Sequence, residues 1–207
     1  MKQFKGKEII LWDFDGVILD SMEIRNLGFT KALAPYPEEQ VEKLLQYHKK
    51  NGGLSRYVKF RYFLEEIRGE ENVEQKVQKL SEFYSSIMRQ RLTRKDLLID
   101  EVHQFIRRNH KKFGMHIVSG SDGEELRYLC NNLEISDYFI SIQGSPTPKI
   151  ELVSSLLSKY GYENEQVCLI GDSINDYEAA QRNNIAFFGY NNTELKRKDS
   201  TYIESFE

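Results

Sequence analysis

Short runs rich in Ile, Val and Phe recur along the chain, apolar on both parities: "EIILW" (8–12), "MHIVS" (115–119), "YFISI" (138–142), "VCLIG" (167–171) and "IAFFGY" (185–190). Strands buried on both faces of a parallel sheet have this pattern. Between the later runs lie "LIDEVHQFIRRNHKKF", "DGEELRYLCNNL", "PKIELVSSLLSKYG" and "NDYEAAQRNN", which have helical period. Glycine or asparagine sits at or just past several of their ends, as at helix stops. Strand alternating with helix predicts an open parallel α/β sheet.

Residues 20–91 break the rhythm. "EEQVEKLLQYHKK", "LSRYVKFRYFLEEIRG" and "VEQKVQKLSEFYSSIMRQRL" carry apolar residues three and four apart, with no strong strand signal among them. The spacing predicts a helical block (20–91) inserted after the first strand, with residues 1–19 and 92–207 forming a discontinuous α/β core. Residues 21–95 hold 15 Lys and Arg against 10 Asp and Glu, whereas the remainder holds 14 against 22. A basic insert facing an acidic core suits an anionic ligand held between them, although a solvated helical face gives the same count.

Composition narrows the class. The 207 residues are 40% hydrophobic and 29% charged, with a net charge of −3. That describes a soluble globular chain and gives no case for nucleic-acid binding. No run approaches the ~18 apolar residues of a membrane span. The N-terminal apolar stretch is too short and too soon interrupted by acid for a signal peptide, so a cytoplasmic protein is expected. Cys130 and Cys168 lack metal-ligand spacing and read as buried thiols, with a lone disulfide as the alternative. The tail after Tyr190 is polar and either closes over the sheet edge or frays.

In open parallel sheets, ligands bind at the carboxyl ends of the strands. Four strand ends here carry chemistry: Asp13 and Asp15 after "IILW", Ser119 and Gly120 with "HIVS", Lys149 ahead of the helix after "YFISI", and Asp172 and Asp176 after "VCLI". Several carboxylates packed together need a cation, and all-oxygen ligands favour Mg²⁺ where phosphate is also present. One carboxylate could then attack phosphorus and form an aspartyl-phosphate. A hydroxyl and an ammonium would hold the phosphoryl oxygens, and the second Asp of the pair could act as acid and base.

"DFDGVILDS", "IVSGSD", "PTPKIELV" and "GDSINDYEAA" resemble, in order, the four motifs of the haloacid dehalogenase superfamily. The resemblance covers roughly residues 7–19 and 92–190, and the insert falls where members with a small α-helical cap carry it. It implies a Rossmann-like core with helices on both faces, similar to phosphoglycolate phosphatases and β-phosphoglucomutases. By the resemblance Asp13 is the nucleophile and Asp15 the acid and base. Ser119, Gly120 and Lys149 bind the transferring phosphoryl group. Asp13, the backbone carbonyl of Asp15 and Asp172 bind Mg²⁺, with Asp176 supporting the site.

Dehalogenating members lack the second Asp, and phosphonate-cleaving members differ there. Asp15 therefore favours phosphate esters and a phosphatase acting on a small phosphorylated metabolite. A phosphomutase and a catalytically idle binding domain are the alternatives. In the insert, "YHKKNGGLSRY" (47–57) places Gly52 and Gly53 at a helix break. Arg56 could pair there with a substrate carboxylate or second phosphate, while a plain connector capped by Ser55 is the competing reading. His48 reads as a surface or packing residue, and Tyr62 and Phe63 as insert core. A monomer or weak dimer is expected, with no nucleic-acid or membrane partner.

Overall fold

A computed structural model describes residues 4–197 and 201–206. Its six-stranded sheet is parallel throughout, in the order β3-β2-β1-β4-β5-β6. The strands are β1 (Ile9–Trp12), β2 (Gly114–Asp122), β3 (Ser141–Ser145), β4 (Val167–Gly171), β5 (Ala186–Gly189) and β6 (Thr201–Tyr202). β1 lies between β2 and β4, with Leu11 beside His116 on one side and Leu169 on the other.

Side chains alternate between two apolar layers, as pleating requires. Ile10, Trp12, Met115, Ile117 and Cys168 face a cluster that includes α5 (Asp100–Asn109) and α6 (Gly123–Asn132). Leu11, Val118 and Leu169 face α7 (Lys149–Tyr160) and α8 (Ile174–Arg182). Each fully buried large side chain contributes about 1.5–3 kcal/mol, so this two-sided burial holds the strand ends firmly. Both cysteines are buried free thiols, pushed up to about 12 by burial.

Between β1 and β2 come α1 (Met22–Ala32), α2 (Glu38–Lys50), α3 (Arg56–Tyr62) and α4 (Glu74–Arg91), the helical cap. A π-helical turn, Phe63–Ile67, follows α3 directly. Phe29, Leu44, Phe60, Phe63 and Tyr84 are buried in the apolar cluster that also contains Trp12. The two connecting strands of chain are tied together: Asp20 N donates to Leu97 O at 2.8 Å and Ile99 N to Ile18 O at 3.0 Å. Both connections leave from the edge where β1 ends.

Two elements depart from the sequence pattern. The third strand lies at 141–145 rather than 138–142; Ser136–Tyr138 forms a 3₁₀ turn, and Tyr138 and Phe139 pack on the core instead. As the sheet's edge strand, β3 is half-buried and tolerates Ser141 and Gln143. The tail adds a short sixth strand. Ile203 is buried and the Phe206 ring packs 5.6 Å from that of Trp12, so residues 201–206 close over the sheet edge.

Candidate active site

β1 delivers Asp13 by continuing its ladder one residue past Trp12, with Asp13 N donating to Ile170 O at 2.9 Å. The chain then turns sharply. Gly16 takes φ +76°, a left-handed conformation that suits glycine, and its N–H donates to Leu19 O at 2.8 Å. A Cβ at Gly16 would lie 2.2 Å from Asp172 Oδ2, so the same glycine lets the β4 loop approach the β1 loop. Asn191 and Asn192 brace the two loops from behind β5, donating to Gly16 O at 2.9 Å and Asp172 O at 2.8 Å.

Lys149 is the first residue of α7 and is buried. Its Nζ lies 2.8 Å from Asp13 Oδ1 and also donates to Asp176 Oδ1. Asp176 is fully buried at the start of α8. Its Oδ2 accepts from Ser173 N at 3.0 Å and Ser173 Oγ at 2.6 Å, one half of a capping box. Both of its oxygens are thus occupied, which makes it a support that holds Lys149 against Asp13.

Asp13, Asp172 and Asp176 bring one oxygen each within 4.8 Å of one another. Three carboxylates against one ammonium leave excess negative charge. Burial, with repulsion from Asp176, pushes the Asp13 carboxyl up to about 7 despite Lys149. Burial, with Asp13 and Asp176 beside it, holds the Asp172 carboxyl well above its ordinary range. Burial opposes charge on Lys149, but Asp13 and Asp176 outweigh it and raise the ammonium above its usual value. The Asp172 carboxylate has no hydrogen-bond or ion-pair partner among the described residues. An all-oxygen donor set with one carboxylate unpartnered and two raised fits a hard divalent cation such as Mg²⁺.

Asp15 occupies a different environment. Its Oδ1 accepts from Arg25 Nε at 2.9 Å and from Ser21 Oγ, and its Oδ2 accepts from Ser121 Oγ at 2.5 Å. Burial raises its carboxyl, but Arg25 and the two serines more than offset that and hold it below the usual carboxylate range. Two aspartates two residues apart are therefore pushed in opposite directions, the arrangement that separates a nucleophile or acid from a base. Ser119 is buried at the end of β2's regular register, and its Oγ accepts from Ser121 N at 3.1 Å. Gly120 meets the cap: a Cβ there would lie 2.2 Å from Gly53 O.

A cavity of about 890 Å³ lies between cap and core, lined by Asp13, Asp15, Ser119, Gly120 and Asp172 from the core and by Arg25, His48, Gly53, Arg56 and Lys59 from the cap. Six of the eight sequence-derived site residues, counting Arg56, line it directly; Lys149 and Asp176 stand behind Asp13. Arg56 is buried. Its Nη1 donates to Glu125 Oε2 at 2.6 Å and to Ser85 Oγ at 2.5 Å, and its guanidinium lies 4.7 Å over the Tyr84 ring. Ser55 caps α3, its Oγ accepting from Val58 N at 3.4 Å. His48 is buried rather than at the surface, packed 4.7 Å from the Phe29 ring.

Sequence reasoning missed Ser21, Arg25, Lys59 and Glu125, and it put Ser121 at the strand end without a role. Glu125 is the most hidden of them. It reads as an ordinary first-turn acid of α6, yet it is fully buried and accepts from Arg25 Nη1 at 2.5 Å as well as from Arg56. Only the position of Arg25, four residues after the N-cap residue Ser21 that ends the motif, hints at it.

Comparison with solved structures shows the same fold over nearly the whole chain. A haloacid dehalogenase-like family hydrolase from Streptococcus pneumoniae superposes with a TM-score of 0.71 at 17% identity, over 96% of this chain and 94% of that one. A predicted phosphoglycolate phosphatase from Haemophilus somnus gives 0.72 at 16% identity, over 97% and 95%. CbbY from Rhodobacter sphaeroides, in complex with xylulose-(1,5)bisphosphate, gives 0.76 at 13% identity, over 97% and 95%. Comparison with curated protein sequences gives no match. No helix of the described residues is long and apolar enough to cross a membrane. The family model of the haloacid dehalogenase-like hydrolases matches residues 10–190, which span the paired aspartates, the cap and every strand end of the site, and the chain belongs to that family.

Proposed function

We propose that the protein is a Mg²⁺-dependent phosphatase that hydrolyses a small phosphorylated metabolite through an aspartyl-phosphate on Asp13. The observation that carries this reading is the opposed pair: Asp13 beside Lys149 and the acidic cluster, Asp15 held ionised by Arg25, Ser21 and Ser121. The solved structures of the same fold support it, since those named above include a predicted phosphoglycolate phosphatase and a protein complexed with a sugar bisphosphate.

Asp13 and Asp172, with the Asp15 carbonyl, would hold Mg²⁺. Bound there, the ion supplies positive charge that offsets repulsion between the Asp13 carboxylate and an incoming phosphate. In the first step an Asp13 oxygen bonds to phosphorus and the ester P–O bond breaks. In this reading Lys149 and Ser119 would hold the transferring group's oxygens. The leaving oxygen needs a proton, which Asp15 would supply in this reading. In the second step water attacks phosphorus, Asp15 takes the water's proton, and the bond to Asp13 breaks to release inorganic phosphate. An Asp15 carboxyl held below the usual range suits that second step; the first requires it to gain a proton against Arg25.

The test is a panel of phosphate esters with Mg²⁺, following inorganic phosphate and ester together. One phosphate released per ester consumed supports water as the acceptor. Ester consumed without phosphate release would point to transfer onto a second hydroxyl, and no consumption of any ester would remove the reading.

A further inference from the structure

Among the buried cations that line the cavity from the cap, Lys59 makes no ion pair with any described residue. Arg25 pairs with Asp15 and Glu125, and Arg56 with the other Glu125 oxygen. Two guanidinium groups thus meet two carboxylates. Lys59, one turn after Arg56 on α3, is left over. It is 3% exposed, lines the cavity, and makes no ion pair among the described residues. Its Nζ has one donor engaged, to Gly52 O at 3.1 Å, and lies 5.9 Å from the Phe29 ring centroid. An ammonium has three donors, and burying it without a counter-charge is costly.

The same wall holds further unused donors. Nη2 of Arg25, Nη2 of Arg56 and both ring nitrogens of His48 are buried without a partner, and all three residues line the cavity. Lys49 and Lys50 also line it, but they are exposed and solvated.

We propose that the substrate carries a second anionic group, a carboxylate or a further phosphate, remote from the reacting phosphoryl group, and that Lys59 binds it with help from the free nitrogens of Arg25 and Arg56. This rests on the phosphatase reading only in placing the phosphoryl group at Asp13. The second oxyanion gives the Lys59 ammonium the counter-charge that no described residue supplies, and takes up the buried Nη2 donors beside it. A neutral sugar monophosphate or simple alkyl phosphate leaves Lys59 unpaired. Burial pulls its ammonium down to about 7, with Asp15 and Asp13 opposing the fall and Arg25 and Arg56 adding to it, so an anion in direct contact gains by restoring the charge. Arg56 alone does not fill this role, because Glu125 and Ser85 already take its Nη1.

The test is binding, measured calorimetrically with Mg²⁺ present, of alkylphosphonates against ω-carboxyalkylphosphonates and alkane bisphosphonates of matched, increasing length. In the wild type the best-fitting dianionic probe should bind at least about tenfold tighter than its alkyl counterpart, the scale of a charge-assisted contact. Lys59→Gln should bring that ratio close to one, and Lys59→Arg should keep most of it. The series with the larger ratio identifies the class of second anion. A wild-type ratio near one at every length would overturn the proposal without any variant, as would an unchanged ratio in Lys59→Gln. A preserved ratio with no phosphate released from any ester would support the Lys59 assignment and overturn the phosphatase reading instead.

Discussion

Arg25 Nε donates to Asp15 Oδ1 at 2.9 Å, and the Nη1 of the same guanidinium reaches Glu125 Oε1 at 2.5 Å. One cap side chain thus touches Asp15 of the core and a buried carboxylate of α6. Arg25→Gln should let the Asp15 carboxyl rise toward its ordinary value, because Arg25 is the largest influence holding it down. The limb of the pH–rate profile that belongs to Asp15 should move to higher pH. Stability should fall by about 3–5 kcal/mol, the cost of removing one partner from a buried charge network. Kinetics across pH and urea unfolding check the two halves separately. An unmoved limb would mean that Arg25 acts only as a cap tether.

The acidic cluster makes a prediction of opposite sign. Asp172 binds its proton more tightly folded than unfolded, since its carboxyl is raised well above 3.8. Its favourable contribution is therefore fully present below pH 3.8 and is lost as pH rises. In chelator at neutral pH, Asp172→Asn should stabilise the protein by about 0.5–2 kcal/mol, as relief of strain at functional sites commonly does. Mg²⁺ should then stabilise the wild type much more than the variant, and chelation should abolish phosphate release until Mg²⁺ is restored. Thermal melts with and without Mg²⁺ decide it. Equal Mg²⁺ stabilisation of both proteins would sink the metal assignment of Asp172.

The two aspartates should fail differently. Asp13→Asn should give no aspartyl-phosphate, since an amide is a poor nucleophile at phosphorus. Asp15→Ala should lose about 10²–10⁴-fold in rate on alkyl phosphates, the range of general acid–base help. The loss should shrink on an aryl phosphate, whose leaving oxygen needs little protonation. Matched kcat measurements on both ester types check this, and equal losses would count against an acid role for Asp15.

How much of this was legible follows from distance along the chain. Asp13, Asp15, Ser119, Lys149, Asp172 and Asp176 could be read because each sits in a local strand–turn pattern, and pattern survives in a single sequence. The Arg25–Glu125–Arg56 network could not, because its partners lie 100 and 69 residues apart and each looks like an ordinary surface charge. Lys59 was hidden for the same reason. Its neighbours are Arg56, Phe60 and Arg61, so it reads as one more solvated lysine until the cap folds over it. The strand at 141–145 was placed early because "YFI" is apolar while the true edge strand is polar. A strand of only Thr201 and Tyr202 offers no period at all.

The turn at Gly52 and Gly53 allows a control within one dipeptide. Cap backbone lies against core loops here. A Cβ on Gly53 would lie 2.7 Å from Asn175 Cβ and 2.8 Å from Ser173 Oγ, where the loop carrying Asp172 runs into the first turn of α8, which carries Asp176. A Cβ on Gly52 meets nothing nearer than Ser173 Cβ at 4.0 Å. Neither glycine has positive φ, so alanine strains the backbone at neither position. The difference is contact alone. Gly53→Ala must push the cap off the Ser173 loop, and it also displaces Gly53 O from its seat against Gly120. A shift of about 1 Å in groups that position substrate costs up to about 10²-fold, so kcat/KM should fall by that order on any ester with a cap contact. Gly52→Ala should stay within about threefold of wild type, since a tolerated surface change is worth under about 0.5 kcal/mol. Global stability should change little in either, because the clash is relieved by opening the cap rather than by unfolding it. The measurement is kcat/KM and urea midpoint for both variants. Equal kinetic losses at the two positions would mean that the turn acts through its flexibility and that the close approach of Gly53 to the core loops is not what assembles the site.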